Sequence, residues 1–401
     1  MGENRGPLGV IDLGSNTARL AVLVPGHDGA LTAICEETVP LRLMRQLDPD
    51  GNLVAPAVES IITTLELFQG KAEAAGAGAV LATATSAVRD ARNSTECIAT
   101  IQSRCGVELS VLSGSEEANH SFVGAIHSLP ARAGMVLDVG GGSAELILFR
   151  DRLPVQTWMF PLGALRLADR FTSREGVDRK AISRHAFTLL AAAGVPQLAP
   201  GNLLVGTGGT VRSIARILHE PPPYTSKPEK LTKRQLAGTE LSHDAIGRVS
   251  RLLGRPAAKP PVAIPGLTKS RRESTPAGAA LIAAIMDYTG ATSLLVSGEG
   301  LREGLAYEAF GMASTPVEQV RQAALARWLA PCSPGMLTDD SGCMARIAAA
   351  LSGSAPAPDL MQLLVTETLP GFTKKQQQEL DRELSRAWQI ARPGAEIGGQ
   401  G

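Results

Sequence analysis

The chain has 401 residues, 44% of them hydrophobic, and carries 39 basic against 39 acidic side chains. A chain of this size and apolar content builds two or three domains with sizeable cores, and wholesale disorder is excluded. Zero formal charge with 3% aromatic residues leaves neither a basic footprint nor stacking rings, so no nucleic-acid partner is expected. No apolar run approaches the roughly 20 residues of a membrane span, so no membrane partner is expected either. Asp12, Asn16 and Arg19 interrupt the first apolar stretch, which therefore does not read as a signal peptide. Gly6 stands where N-myristoylation would want Ser or Thr.

In chain order, Val10–Asp12 and Leu20–Val24 flank a glycine-containing turn and predict a β-hairpin. Val58, Ile61, Ile62, Leu65 and Phe68 recur on one helix face. Ala79–Ala82 reads as a buried strand, followed by a polar loop from Thr83 to Asn93. Ser113-Gly-Ser-Glu116 matches a capping box, and Phe122, Val123 and Ile126 continue on a helical period. Val136–Asp138 and Leu146–Phe149 predict a second hairpin. Leu203–Val205 is a short strand that runs through the loop Gly206–Thr210 into a helix, Val211–Leu218. Prolines break the chain at 221–223 and bend it between 256 and 265; Pro276–Tyr288 is helical and Ser293–Ser297 is a strand. From about Thr315 the patterns are helical without strands, with a linker-like break at Ser352–Pro358 and a frayed tail from Pro393.

The most informative feature is an internal echo. Val10-Ile-Asp-Leu-Gly-Ser-Asn-Thr recurs loosely as Val136-Leu-Asp-Val-Gly-Gly-Gly-Ser, each copy followed at once by a second apolar run. A repeat this long indicates a duplicated α/β half. Both glycine loops lie between two strands, whereas dinucleotide-binding and Walker loops lie between a strand and a helix. The lone Gly70-Lys71 pair is followed by Ala72, so the Walker pattern fails as well. Glycines in such a turn let backbone N–H groups converge on an anion. An Asp at the start of the turn repels phosphate and is better read as holding a hydrated Mg²⁺ that bridges to phosphate oxygens. A tight hairpin with Asp as a turn residue would explain one loop. Two matched loops favour function.

The motifs Asp12-Leu-Gly-Ser-Asn16, Thr85-Ser-Ala-Val-Arg89 with Asn93, Ser113-Gly-Ser-Glu-Glu-Ala118, Asp138-Val-Gly-Gly-Gly-Ser-Ala-Glu145 and Gly206-Thr-Gly-Gly-Thr210 occur in that order, followed by Ser297-Gly-Glu-Gly-Leu-Arg-Glu-Gly304. Together they resemble the exopolyphosphatase / guanosine pentaphosphate phosphohydrolase family of the actin, sugar-kinase and Hsp70 superfamily. The resemblance implies an α/β fold of two actin-like (RNase H-like) domains with an interdomain cleft, expected at 1–127 and 128–312. A reduced all-helical domain is expected at 313–392 and a tail at 393–401. It further implies hydrolysis of the terminal phosphate of inorganic polyphosphate, of guanosine pentaphosphate, or of both, with Mg²⁺.

Removing a terminal phosphoryl group needs charge neutralisation, backbone donors and a base that orients water. Gly14, Ser15, Asn16, Gly140, Gly141, Gly142 and Ser143 are expected to cradle phosphate oxygens, and Gly208, Gly209 and Thr210 to line the cleft. Asp12, Asp138 and Glu145 form the carboxylate set for Mg²⁺ and the attacking water, and Arg89 clamps the transferring group. Glu116 stands three residues after Ser113 and is explained as a cap; Glu117 has no such task and precedes Ala118 as in the family motif, so Glu117 is the expected base. Lys269-Ser-Arg-Arg272 either contacts a polyanion or is a solvated loop, and Arg271-Arg272-Glu273 departs from the family's usual Arg-Ala-Asp. No histidine follows His243, so the HD-like metal site of long family members has no ligands here. The five cysteines form no Cys-x-x-Cys pair, and the histidines lack ligand spacing. A cytoplasmic homodimer is the expectation. The rival readings are a small-molecule kinase of the same superfamily and a guanosine-tetraphosphate-binding regulator without turnover.

Overall fold

In the computed structural model the described residues are 6–26, 30–127, 129, 131–199, 202–219, 233–256 and 264–312. The helical segment and tail expected after 312, the break at 221–223 and most of the 256–265 bend lie outside them.

Two sheets organise these residues. The first half of the chain runs β1 (Leu8–Leu13), β2 (Thr17–Pro25), β3 (Leu31–Pro40), α1 (Ala55–Ala74), β4 (Ala79–Ala84), α2 (Ser86–Arg89), α3 (Ser94–Cys105), β5 (Leu109–Val111) and α4 (Gly114–His127). The second runs β6 (Ala133–Val139), β7 (Ala144–Arg150), β8 (Leu153–Phe160), α5 (Ala164–Phe171), a ribbon of β9 (Thr172–Ser173) and β10 (Gly176–Val177), then α6 (Arg179–Ala192) and β11 (Leu203–Thr207). It continues through α7 (Gly208–His219), α8 (Lys233–Leu236), β12 (Glu240–Ser242), α9 (His243–Leu253), α10 (Thr275–Thr289), β13 (Ser293–Val296) and α11 (Leu301–Ala309).

The strand orders are β3-β2-β1-β4-β5 and β8-β7-β6-β11-β13-β12. Each is an antiparallel three-strand meander continued by two parallel strands, and the second sheet adds an antiparallel edge strand, β12, so the echo in sequence is an echo in topology. Asp12 lies opposite Arg19 and beside Thr83; Asp138 lies opposite Glu145 and beside Thr207. The two aspartates thus occupy one position of one pattern, at the end of a central strand.

The predicted helix face of α1 is buried: Ile61, Leu65 and Phe68 pack with Ile11, Leu13 and Leu20. In the second half α10, buried over most of its surface, packs Leu281, Ile282 and Ile285 among Ile182, Leu190 and Ile214. After β13 the chain returns to the first sheet, where Leu305, Ala306 and Phe310 of α11 cover Leu8, Val10, Ala21 and Leu23. This return brings Arg302 to the first sheet, where it donates to Leu20 O at 3.1 Å, and pairs Glu303 with Lys233. Phe68 is fully buried, so Phe68→Ala is expected to lower stability by about 3–5 kcal/mol, read as a lower denaturant midpoint at unchanged m-value.

Two expectations require correction. Residues 83–93 are not an open polar loop: β4 runs to Ala84 and α2 follows, with Thr83, Thr85, Ser86, Ala87 and Val88 buried. Their hydroxyls find partners inside, as when Thr83 Oγ1 donates to Ile11 O at 3.1 Å. The loop at 206–210 is also shorter than expected, because β11 extends through Thr207 and α7 begins at Gly208. The edge strands β3 and β8 are mostly exposed and lack the buried apolar run that marks β1.

Candidate active site

Both hairpin turns close in the same way. Gly14 N donates to Thr17 O at 3.2 Å, and Gly140 N donates to Ser143 O at 3.0 Å. The two loops also face each other. A Cβ at Gly141 would stand 3.3 Å from Ser15 Cβ, and one at Gly142 only 2.7 Å from Ser86 Oγ. Ser86 and Ser15 share a hydrogen bond of 2.7 Å, so glycine at 142 is what lets the second loop approach this pair.

One cavity lies between the loops. Asp12, Gly14, Ser15 and Asn16 line it from the first half; Asp138, Gly140, Gly141, Ser143, Glu145, Gly208 and Gly209 line it from the second. Glu117 completes the wall from α4. Three expected residues are not on it. Gly142 faces the serine pair, Thr210 is buried behind the wall against Gly278, and Arg89 reaches the site only through Glu117.

The adjacent glutamates make different contacts. Glu116 Oε2 accepts from Ser113 N at 2.8 Å while Glu116 N donates to Ser113 Oγ at 3.3 Å, which is the reciprocal capping box. Glu117 points inward, and its Oε2 accepts from Arg89 Nη1 at 2.8 Å. The same guanidinium nitrogen donates to Leu112 O at 3.0 Å, which fixes its direction. Burial pushes the Glu117 carboxyl up to about 7, while Arg89 pulls against that rise. A carboxylate balanced near neutrality suits proton transfer at physiological pH.

Burial also raises Asp12, Asp138 and Glu145, with Glu117 and Asp138 adding to the rise at Glu145. Ser121, one turn after Glu117 on α4, donates to Asp138, and Ser143 donates to Glu145. Asp12 Oδ1, Glu145 Oε1 and Asn16 Nδ2 are buried without a hydrogen-bond partner. Unpaired buried polar atoms on a cavity wall are costly unless a ligand satisfies them. Among the described residues no three His, Cys, Asp or Glu side chains close into a metal-binding cluster. Mg²⁺ is commonly held by one or two carboxylates, with water and substrate phosphates completing its shell, so the oxygen donors of Asp12 and Glu145 fit such a site.

Four guanidiniums join this wall, and three of them were not singled out in the sequence. Arg19, Arg212, Arg271 and Arg302 all line the cavity. Arg19 had a signal, since it follows Asp12 by the same seven residues that separate Glu145 from Asp138. Burial lowers Arg212 to about 10; burial and repulsion from Arg19 and Arg212 lower Arg271 to about 9. Arg271 lies against Gly209, while Lys269 and Arg272 of the same run are exposed. Arg302 is anchored by donation to Leu20 O at 3.1 Å and to Glu36 at 3.4 Å. Glu303 would rise on burial, but Lys233 at 3.3 Å and Arg302 at 3.6 Å hold it down at about 2. These guanidiniums share the wall with the carboxyl groups of Asp12, Glu117, Asp138, Glu145 and Glu303, so the cavity carries both signs of charge.

The model of the Ppx/GppA phosphatase family matches residues 22–312. Exopolyphosphatase 1 of Mycobacterium tuberculosis is 30% identical over 305 residues, covering 74% of this chain and 86% of the relative. Exopolyphosphatase 1 of Mycobacterium leprae is 31% identical over 305 residues, covering 74% and 88%. Among solved structures, an exopolyphosphatase from Cytophaga hutchinsonii has a TM-score of 0.67 at 23% identity, covering 76% of this chain and 98% of its own. The Aquifex aeolicus Ppx/GppA family member gives 0.63 at 22% identity, covering 77% and 99%. These structures share the two-domain actin-like fold.

Proposed function

The chain belongs to the Ppx/GppA phosphatase family, and from that premise we propose that it is a Mg²⁺-dependent hydrolase releasing the terminal phosphate of inorganic polyphosphate. The observation that carries the reading is the convergence, on one cavity, of two glycine loops, an Arg89-held Glu117 and four guanidiniums.

In this reading the terminal phosphate rests between the loops, where Ser15, Asn16, Gly141 and Ser143 supply donors. Glu117 in its ionised form takes a proton from water and directs the oxygen at phosphorus. Arg89 keeps that carboxylate ionised and oriented. Arg19, Arg212, Arg271 and Arg302 hold the phosphates that follow. Asp12 and Glu145, whose buried oxygens lack partners, are the carboxylates that would hold Mg²⁺, while Asp138 of the expected set accepts from Ser121; the bound ion would supply neutralisation of charge on the phosphate oxygens. Water is the nucleophile, so no phospho-enzyme is expected.

Guanosine pentaphosphate is the second substrate the family brings. The described cavity wall has Val139 and Leu301 as its large apolar members and no aromatic ring, while charge dominates the rest. A purine wants an apolar or stacking surface, so the wall favours an all-phosphate ligand. The reading takes 1–127 and 128–312 as the two domains and the active form as a cytoplasmic homodimer. The free thiols of Cys35, Cys97 and Cys105 support a reducing compartment. Among the described residues no helix is long and apolar enough to cross a membrane.

The test is phosphate release from long polyphosphate, guanosine pentaphosphate and ATP, each with Mg²⁺ or EDTA. The expected result is Mg²⁺-dependent release from polyphosphate that EDTA abolishes. Binding of these anions without any release would replace the reading with a regulatory protein; acceptor-dependent ATP consumption would replace it with a kinase.

A further inference from the structure

We infer that Arg45 is a positioning residue of the site: its guanidinium clasps the two halves of the chain together and so sets the spacing of both glycine loops and of Arg271. This rests on the polyphosphate reading above and adds to it a residue that does not line the cavity. Arg45 ends a 3₁₀ turn, Leu43–Arg45, that lies on the first loop. Leu41 N and Arg42 N both donate to Asn16 O, at 3.1 and 2.9 Å, and Met44 N donates to Ser15 O at 3.4 Å. To enter that turn Arg42 takes φ 52°, a left-handed backbone that residues other than glycine seldom adopt and that persists where the surrounding structure requires it.

From this turn the Arg45 side chain reaches two acids of the second half. Nη2 lies 2.5 Å from Asp169 Oδ1 and Nη1 lies 2.6 Å from Glu273 Oε1, so the two prongs of the planar fork hold two different segments. Arg42 adds a longer contact, 3.8 Å, to the other oxygen of Glu273. Asp169 is on α5, whose first turn is pinned to the second loop: Ala164 N donates to Gly140 O at 2.9 Å, Leu165 N to Gly141 O at 3.0 Å and Arg166 Nε to Gly142 O at 3.0 Å. Glu273 stands two residues after Arg271, whose guanidinium lies against Gly209 on the cavity wall. The first loop, the second loop and Arg271 are therefore joined through one side chain.

Such a tie has a repulsion to oppose, because Asp12 of the first half and Asp138 of the second carry like charge toward one cavity. Ion pairs cross between the halves at Glu36 as well, but those hold Lys233 of α8 and Arg302 of α11, not a segment bonded to either loop. Arg45, Asp169 and Glu273 are all exposed, and exposed ion pairs are individually weak. The clasp therefore adds little to global stability and acts on the spacing of the site, where small displacements of groups that hold a substrate are felt at once.

The test compares the full chain with Arg45→Gln, with the acid-neutralised variant Asp169→Asn/Glu273→Gln, and with all three changes combined. Steady-state phosphate release from polyphosphate gives KM and kcat, and denaturant unfolding gives the midpoint. KM is expected to rise about fivefold in Arg45→Gln and by a similar factor in the acid-neutralised variant, with no further rise in the combination and unchanged midpoints. The sign in the acid-neutralised variant is decisive. Were Arg45 only a cation attracting a polyanion, removing two nearby carboxylates would make the surface more positive and lower KM. A lower or unchanged KM there, additive rises in the combination, or a midpoint that falls in step with KM would each overturn the clasp while leaving the hydrolase intact. Should wild type bind polyphosphate without releasing phosphate, the hydrolase reading falls, and the same signs read in polyphosphate binding decide the clasp. Wild type that neither binds nor hydrolyses polyphosphate ends both.

Discussion

Glu117→Gln is expected to lower kcat for phosphate release from polyphosphate by about 10³-fold while KM changes by less than about threefold. Glutamine keeps the shape and one acceptor for Arg89 but cannot take a proton. Nothing else on the cavity wall replaces it well. Asp12 and Glu145 are assigned to Mg²⁺, Asp138 accepts from Ser121, and Glu116 is turned away into its cap. The control is therefore Glu116→Gln, which is expected to keep near-wild-type kcat. Reversed outcomes, with Glu116→Gln inactive and Glu117→Gln active, would show that the base has been assigned to the wrong neighbour.

Arg89→Ala is expected to cost about 10²-fold in kcat and to move the acid limb of the kcat/KM profile upward. The sign follows from the two opposing influences on Glu117. Burial raises its carboxyl, Arg89 lowers it, and the balance stands at about 7. The base works when ionised, so activity falls as pH drops through that value. Removing the guanidinium leaves burial unopposed; the limb then shifts to higher pH, and part of the lost activity returns in alkaline buffer. Arg89→Lys retains the charge without the planar fork, and its limb is expected to lie between the two. An unmoved limb in Arg89→Ala would mean that Arg89 does not govern the ionisation of Glu117.

The core of this candidate site was legible because its parts are local. An Asp–Gly turn between two apolar runs specifies a hairpin through side-chain alternation and glycine's backbone freedom, and its recurrence at Asp138 specified a paired site. The separation of Glu116 from Glu117 was equally local, since a capping box is a contact across three residues. Arg89 could be named from its motif. What it does there depends on packing, because α2 and α4 are brought together only by the first sheet and its helices.

Folding supplied the rest. Arg212, Arg271 and Arg302 come from α7, the turn before α10 and α11, and no sequence period connects them to Asp12. They meet because α11 crosses from the second sheet to cover the first, and because Gly209 leaves room for the Arg271 guanidinium. The same packing withdrew Thr210 and Gly142 from the wall, although their motifs place them beside residues that line it. The sequence by itself determined the two loops, the capping of Glu116 and the places of the carboxylates along the chain, because turn chemistry and helix capping act over a few residues. Which cations surround them was decided by long-range burial, since a guanidinium's place in a polyanion site depends on which distant backbone approaches closely enough to hold it.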